Sequence, residues 1–514
     1  MNRFGTKRFW LLGMLAVVGM AVQADDWPIW GRTPARNMVS LEKGLPVSFE
    51  PGKKKAGSEE IDMATTKNIR WVIKLGSQSY GNPTVSGGKI FVGTNNETPR
   101  DPRLTDDRGV IMCFDEKSGE FLWQFTAPKL GSGKVNDWEY LGICSSPAVG
   151  GNRVYFVSNR CEVVCLDVNG LKDGNQGFQG EAKYTLPDGD GSWQPGEKDA
   201  DIVWFFDMRD ELGVFPHNIS SSSVLLAGDK VFVTTSNGQD WSHVNIPNPK
   251  APTLVVLDQA TGKLIGEEAS AISTRLYHCN WSSPSFGKVK DQPLVFFGAG
   301  DGFCYAFKPD PVKDEDGFGI LEEVWRYECN PPSYKVKDGQ KIRYPSPKGP
   351  SEVIATPVFY KDRIYVATGQ DPEHGSGIGI LSCIKADGKG DVTETGALWT
   401  YDKIERSIST VAVYKDLVFA ADFTGFLHCL DADTGKVYWV HDTESNIWSS
   451  PLVAGGKVYQ GNEDGLLIVL DAAKKENVVT KIEFDAPIYA SPIAANGTLY
   501  ISTQTHLYAA QAVK

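Results

Sequence analysis

The side chains best suited to chemistry are spread along the chain and form no recognised motif. The seven histidines show no metal-ligand spacing, so the sequence leaves a metal site undetermined. Asp371, Glu373 and Asp422 could act as metal ligands or general bases, but acids in such loops are more often turn residues. The Gly-Ser-Gly-Ile-Gly run at 375–379 is similar to a dinucleotide loop, yet it lies between strands and no helix follows. We therefore assign no catalytic residue.

The nine cysteines indicate packing more than redox chemistry. Their odd number leaves at least one free or paired between chains, and neither Cys-x-x-Cys nor adjacent cysteines occur. Cys161 and Cys165 share a predicted strand, which places them ~13 Å apart, too far for a disulfide. Four of the cysteines recur at the same position of an internal repeat: Cys113, Cys165, Cys383 and Cys429. We expect them to behave as small buried apolar residues.

Charge and the first residues bear on location and partners. The 514 residues carry 52 Lys and Arg against 64 Asp and Glu, a net charge of −12, which argues against nucleic acid or anionic lipid as partners. A basic start, the apolar run 9–22 and Ala24 predict a signal peptide over residues 1–24. The run is too short to span a bilayer, although an uncleaved anchor is the alternative. We expect an exported protein, periplasmic or extracellular, without a transmembrane segment.

One sequence pattern recurs eight times. Each copy opens with a Ser-Pro-like pair, followed by short strands with alternating apolar residues and turn residues between them. The openings lie at Pro83, Pro147, near Ser223, and at Pro284, Pro357, Thr410, Pro451 and Pro492. No helical periodicity interrupts the strands. Repeated four-stranded antiparallel units predict an all-β, eight-bladed β-propeller.

The two ends of the repeat region complement one another. The last copy stops after residue 510 without a Trp-bearing strand, whereas residues 69–74 resemble such a strand with no copy before them. If residues 69–74 complete the last blade, two exposed sheet edges are paired and the ring closes. The sequence thus predicts a lead segment over 25–68 and a single propeller over 69–514.

The spacing Asp-x-x-x-Gly-x-x-x-Trp, as in Asp431, Gly435 and Trp439, resembles the repeat of the PQQ-type, quinoprotein-dehydrogenase-like propellers. The resemblance covers roughly residues 26–511. It implies that a Trp of one blade docks on a neighbouring blade and ties the ring together. The residues expected in this structural role are Trp71, Trp123, Trp204, Trp325, Trp399 and Trp439.

Loop lengths predict where recognition takes place. The first turn of each copy is tight, whereas the long connections all belong to one face of the ring, except for the excursion 169–201 on the other face. Aromatic residues precede several of the openings by three positions, at the expected channel mouth. The candidate ligand-binding residues on this face are Tyr80, His217, Asn218, Trp281, His374, Arg406, Trp448 and Tyr489. The alternative is that the aromatic residues only pack the inner ends of the blades.

Two functions agree with this sequence. One is a non-catalytic, exported scaffold similar to the outer-membrane-assembly branch of the superfamily, binding a protein, peptide or glycan on its loop-rich face. The other is an oxidoreductase using PQQ and Ca²⁺, which requires an aromatic floor, donors for the quinone carboxylates and a carboxylate base. The resemblance also implies a disulfide between adjacent cysteines in such dehydrogenases, and this sequence has no such pair. The sequence therefore favours the scaffold.

Overall fold

The computed structural model describes residues 26–189 and 191–512, and the predicted signal peptide at 1–24 lies outside them. Eight antiparallel sheets of four principal strands are arranged as a propeller, which confirms the predicted fold class. We name the strands of each blade A to D from the channel outwards. Strands B and C are almost fully buried because neighbouring blades cover both of their faces, whereas strand D alternates between buried and exposed positions.

The first four blades follow one another along the chain. Blade 1 consists of Thr84–Ser86, Lys89–Asn95, Arg108–Asp115 and Phe121–Pro128. Blade 2 consists of Ala148–Gly150, Arg153–Val157, Glu162–Asp167 and Ile202–Asp207. Blade 3 consists of Leu225–Ala227, Lys230–Thr234, Leu254–Asp258 and Leu264–Glu268. Blade 4 consists of Ser285–Val289, Gln292–Gly298, Phe303–Phe307 and Glu323–Glu328.

The remaining four blades complete the ring. Blade 5 consists of Val358–Tyr360, Arg363–Ala367, Leu381–Lys385 and Ala397–Tyr401. Blade 6 consists of Ala412–Tyr414, Leu417–Ala421, Phe426–Asp431 and Val437–Asp442. Blade 7 consists of Leu452–Ala454, Lys457–Gly461, Leu466–Asp471 and Val478–Glu483. Blade 8 consists of Ile493–Ala495, Thr498–Ser502 and His506–Ala510, and its strand D is Ile69–Lys74.

Short elements decorate the loops. The α-helical turns are Glu181–Thr185, Met208–Leu212 and Pro332–Lys335, and the 3-10 turns are Met63–Thr65, Gly133–Val135, Gly170–Asp173, Ile272–Thr274 and Pro372–His374. The additional strands are Lys53–Lys54, Ile61–Asp62, Val312–Lys313, Gly319–Leu321, Val336–Lys337, Gln340–Lys341 and Gly390–Asp391. None of the helices in the described part of the chain has the length and apolar character needed to cross a membrane.

The ring closes as the sequence predicts. Ile69–Lys74 pairs antiparallel with His506–Ala510, and Trp71 lies opposite Ala509. The N-terminal strand therefore covers the edge that the last blade would otherwise expose.

The repeat residues form a docking contact between neighbouring blades. Five indole N–H groups donate to a carbonyl in the turn between strands C and D of the next blade, at distances of 2.9–3.1 Å: those of Trp71, Trp123, Trp325, Trp399 and Trp439. Trp204 lies against Gly262 of blade 3, but its indole N–H has no hydrogen-bond partner among the described residues. The turn glycine has positive φ, and a Cβ there would meet the indole, as at Gly435, where it would lie 2.6 Å from Trp399.

The recurrent cysteines face these tryptophans. Cys113 lies opposite Trp123 across strands C and D, and Cys429 lies opposite Trp439. Blades 4 and 8 have alanine at this position, as with Ala306 opposite Trp325, whereas blades 3 and 7, which have no Trp there, have valine. A small side chain is required because the indole occupies the adjacent space. The nine cysteines are free thiols, and eight of them are buried.

The Ser-Pro-like openings form a second circle of contacts, around the channel. In seven of the eight blades, the backbone N–H of the residue two positions before the first strand donates to a side-chain oxygen at the same position in the next blade. Seven such bonds connect the series Asn82, Ser146, Ser223, Ser283 and Thr356, Thr410, Ser450, Ser491, Asn82. The bond from Ser491 to Asn82 joins blade 8 to blade 1 and so repeats the closure at the inner rim.

The lead segment crosses the channel, a role that the sequence pattern did not predict. Backbone or side-chain hydrogen bonds connect residues 27–40 to the innermost region of all eight blades, at Val85, Val149, Val224, Phe286, Phe359, Val413, Val453 and Ala494. Arg36 is fully buried and donates to the carbonyls of Trp30, Ser223, Val224 and Pro284. Asp26 accepts from Gly87 in an A–B turn, so the segment lies toward the tight-turn side.

The expectation of a single C–D excursion is wrong. Besides 169–201, the C–D connections of blades 4 and 5 also leave their blades, and Gly319–Leu321 and Gly390–Asp391 pair in parallel with strand D of the preceding blade. Residues 198–200 contact Gln124 of blade 1 in the same way. The excursion then reaches the loop-rich face, where the carbonyl of Thr185 accepts from Arg108 and the Trp193 indole donates to Asp101, so its expected placement on the other face is also wrong. Each excursion thus covers an outer sheet edge, which explains its position.

Candidate functional site

A cavity of about 410 Å³ occupies the channel mouth on the loop-rich face. It is lined by the residues three positions before the opening prolines, namely Tyr80, Cys144, Trp281, Ile354, Trp448 and Tyr489. These residues converge because every blade begins its innermost strand at this rim. A cavity of this size holds a small molecule or a few side chains.

One wall of the cavity is a contiguous aromatic group. The Trp448 and Tyr489 rings are stacked with centroids 4.7 Å apart, and Tyr80 lies 5.4 Å from Tyr489. Tyr489 donates its hydroxyl to Glu463 at 2.9 Å, which helps to fix the ring. Burial raises the pKa of both tyrosines. The rings pack on one another and also face the cavity, so the two expectations for these aromatic residues do not exclude each other.

The lead segment contributes a residue to the cavity. Trp30 lines it and is itself 7% exposed, and its indole N–H donates to Thr356 at 3.3 Å. Because the lead segment bonds to all eight inner strands, it supplies a fixed floor to the cavity.

The polar lining is acidic. Glu139, Asp371 and Glu373 contribute, and no Lys or Arg is among the described residues that line the cavity. Burial, with Glu352 and Glu373 nearby, raises the pKa of Asp371 to about 7. The cavity therefore offers aromatic faces and carboxylates, a combination suited to a cationic or hydrogen-bond-donating group.

Beside the cavity the structure brings histidines together from separate loops. His217 follows strand D of blade 2, His243 lies between strands B and C of blade 3, and His278 follows strand D of blade 3. One ring nitrogen of each lies within 4.8 Å of the others. The His278 ring lies 4.9 Å from that of Trp281, so the cluster adjoins the cavity wall.

Further polar residues extend this cluster. The His374 ring lies 5.1 Å from that of His278, and His374 Nδ1 is 3.3 Å from the Tyr344 hydroxyl. Tyr344 donates to Glu352 at 3.0 Å. Burial raises the pKa of Glu352 to about 8, and burial also lowers the pKa of His278 and His374 to about 3.

Arg406 has a role in positioning loops. It is 1% exposed and donates to the backbone carbonyls of His374 and Gly375, at 3.0 and 2.7 Å, and to that of Ser346. The guanidinium thus fastens the loop around residue 346 to the loop around residue 374. Arg406 holds the cavity wall in place and does not itself line the cavity.

The eight candidate residues predicted from the sequence fall into three groups. The cavity is lined by Tyr80, Asn218, Trp281, Trp448 and Tyr489, whereas His217 and His374 belong to the adjoining histidine cluster and Arg406 is buried behind the wall. The prediction did not include Trp30, Trp138, His243, Tyr344 or Glu352. Local spacing carries no signal for them, because Trp30 belongs to the lead segment and the others come from connections of different length.

Comparison with known proteins agrees with this architecture. Residues 61–169, 104–301 and 379–478 match the family described as outer membrane protein assembly factor BamB. A protein of that name from Shewanella oneidensis is 32% identical over 75 residues, which are 14% of this chain and 19% of the relative. The chain therefore matches about a fifth of that relative's length.

Solved structures are also similar to this chain. BamB from Moraxella catarrhalis is similar over 86% of this chain and 97% of its own, with a TM-score of 0.52 and 14% identity. A quinohemoprotein alcohol dehydrogenase from Comamonas testosteroni is similar over 95% of this chain and 81% of its own, with a TM-score of 0.48 and 13% identity. Sequence identities this low are informative about the fold and not about the function. Because the family match covers well over half of the residues, the chain belongs to the BamB-type family of PQQ-like propellers.

Proposed function

We propose that this protein is an exported, non-catalytic propeller that binds a partner protein by holding a peptide segment of it in the channel-mouth cavity. The observation that carries the proposal is the cavity itself, an aromatic and acidic recess with Trp30 of the lead segment as its floor. The family description refers to outer membrane protein assembly, and we extend that setting to this chain as a location in the cell envelope.

The lining indicates what kind of segment it would take. Indole and phenol rings offer flat apolar surface and attract cations over their faces, and each such contact contributes ~0.5–2 kcal/mol. Glu139 and Glu373 are exposed at the rim, where they add attraction for a positive charge. A segment with a Lys or Arg next to an aromatic or aliphatic side chain fits this lining best.

The residues fit PQQ poorly. The aromatic lining would suit a planar quinone, but the quinone carboxylates need cationic or amide partners. Amides line the cavity at Gln78, Asn82 and Asn218, but no Lys or Arg does among the described residues. The guanidinium of Arg406 is engaged with backbone carbonyls, and the charged groups lining the cavity are carboxylates. We derive no step of a quinone reaction, and we expect no stoichiometric complex when PQQ and Ca²⁺ are added.

A peptide-display selection tests the proposal. Peptides selected on the wild-type protein are expected to be enriched in Lys or Arg beside aromatic residues. Their binding should fall at least ~10-fold in the double variant Glu139→Lys with Glu373→Lys, because two attractive charges become repulsive.

The matched control reverses two exposed acids at the outer edge of the ring, away from the channel. Asp188 and Glu197 lie in the C–D excursion of blade 2, and their change to Lys alters the net charge equally. This control should bind the selected peptides like the wild type. If no peptide is selected, if both double variants lose binding equally, or if PQQ with Ca²⁺ supports dye-linked alcohol oxidation, the proposal is wrong.

A further inference from the structure

The histidine cluster points to a site beyond the proposed function. We propose that His217, His243 and His278 bind one divalent transition-metal ion of the zinc class. Imidazole nitrogen is a preferred ligand for such ions, and three histidines with an open fourth position are a known type of zinc site.

The separation of the nitrogens agrees with shared coordination. His217 Nε2 and His243 Nε2 lie 3.2 Å apart. Two ligands of a tetrahedral ion with metal–nitrogen bonds of ~2.0 Å lie ~3.3 Å apart. The third nitrogen is within 4.8 Å of both, so a small ring rotation brings the three to one ion.

A backbone contact orients one ligand. His217 Nδ1 lies 2.7 Å from the carbonyl oxygen of Gln239, so Nδ1 carries the proton and donates it. The lone pair is then on Nε2, the atom that faces His243. Such a hydrogen bond behind the ligand is usual for metal-binding histidines.

His278 supplies a second, independent observation. Its side chain is 0% exposed, and neither ring nitrogen has a hydrogen-bond partner among the described residues. A buried imidazole without partners is costly, and a bound ion would satisfy it. The nearest acid is Glu352, whose Oε1 lies 3.8 Å from His278 Nδ1 and whose Oε2 also has no partner. This carboxyl group would orient His278 and offset the charge of the ion.

The approach of these loops depends on one glycine. A Cβ at Gly238 would lie 2.8 Å from the Cβ of His217 and 3.0 Å from the carbonyl oxygen of His278. The close contact of the two loops therefore leaves no room for a side chain at this position. The most exposed member of the three is His243, which is half-buried, whereas His217 and His278 are buried.

The experiment uses untagged protein that has been treated with EDTA. Titration with Zn²⁺ in a calorimeter is expected to give one site per chain, and Co²⁺ is expected to give the intense visible absorption of a tetrahedral complex. His243→Ala should weaken Zn²⁺ binding at least ~100-fold, since loss of a ligand exceeds loss of an outer-shell partner. Ca²⁺ should not compete, because it prefers oxygen ligands.

The matched control is His441→Ala, which removes a histidine on strand D of blade 6 that pairs with Glu476. It should bind Zn²⁺ like the wild type. The proposed site is overturned by any of three results: no stoichiometric Zn²⁺ binding, an unchanged Zn²⁺ affinity in His243→Ala, or an equal loss of affinity in His441→Ala. These outcomes are independent of the peptide selection, which can succeed or fail separately.

Discussion

The docking contact between tryptophan and turn glycine explains why the repeat has its spacing. Gly435 has a φ of 69°, and its missing Cβ leaves room for the Trp399 indole, which donates to Ala432 in the same turn. The glycine and the tryptophan of one repeat copy therefore belong to two different contacts. The glycine receives the indole of the preceding blade, and the tryptophan of the copy reaches the next blade.

A substitution pair separates steric docking from backbone strain. Gly435→Ala is expected to lower the free energy of unfolding by ~2–4 kcal/mol, because it combines positive φ with a contact 2.6 Å from Trp399. Gly456→Ala has a similar φ of 77° and open space around the position, so it should cost ~1–2 kcal/mol. Urea denaturation measures both, and equal losses would contradict the docking role.

At the residue scale, the sequence predicts repeated positions better than single ones. Three sets of residues can be predicted because each recurs at the same position of the repeat: the docking tryptophans, the buried cysteines and the aromatic residues before the openings. The histidine cluster was not, since His217, His243 and His278 come from loops of unrelated length. Only the folded loops bring their nitrogens within 4.8 Å.

At the scale of elements, the course of the lead segment is the main feature that the sequence did not predict. The sequence indicates a lead segment over 25–68, but no periodicity indicates that it crosses the channel. Arg36 is the principal anchor, because its guanidinium donates to four carbonyls while fully buried. Burial lowers its pKa to about 9, so it remains charged near neutral pH.

Removing this anchor should destabilise the channel floor. Arg36→Met is expected to cost ~3 kcal/mol or more, because four buried carbonyl oxygens lose their donor. Arg32→Met is the comparison on the same segment, since the Nε of this half-buried arginine donates to the carbonyl of Val39. It should cost less than ~1.5 kcal/mol. Equal destabilisation of the two variants would argue against Arg36 as the anchor.

The C–D excursions show why element positions were only partly predictable. A long interval between two predicted strands indicates an insertion, and the longest insertion, 169–201, was identified in this way. The shorter ones at blades 4 and 5 were not, because each contributes only a few residues to a strand of the preceding blade. Pairing with a sheet edge is a tertiary event that the local pattern does not encode.

At the scale of the whole molecule, closure joins residues that are more than 400 positions apart. His506 pairs opposite Lys74 in the closing sheet, and its Nε2 donates to the carbonyl of Glu59 at 2.9 Å. Burial lowers the pKa of His506 to about 4. Between the ordinary histidine value near 6.5 and pH 4, the unfolded chain therefore takes up a proton that the folded chain does not.

The stability contributed at this site is thus complete above pH 6.5 and is lost as pH falls toward 4. His506→Gln should reduce the pH dependence of the unfolding free energy in this window by about 1 kcal/mol per pH unit. Urea denaturation at pH 7, 6 and 5 measures the difference between the two proteins. Parallel curves for wild type and variant would show that His506 is not buried in its neutral form.

The channel mouth is the surface that we propose to bind a partner. Hydrogen–deuterium exchange with a selected peptide tests this claim most directly. We expect slower exchange in the segments 138–144, 217–221, 371–374 and 446–450, which surround the cavity, and unchanged exchange in the excursion 169–201 at the outer edge of the ring. Protection confined to 169–201 or to the outer strands, with none around the cavity, would contradict it.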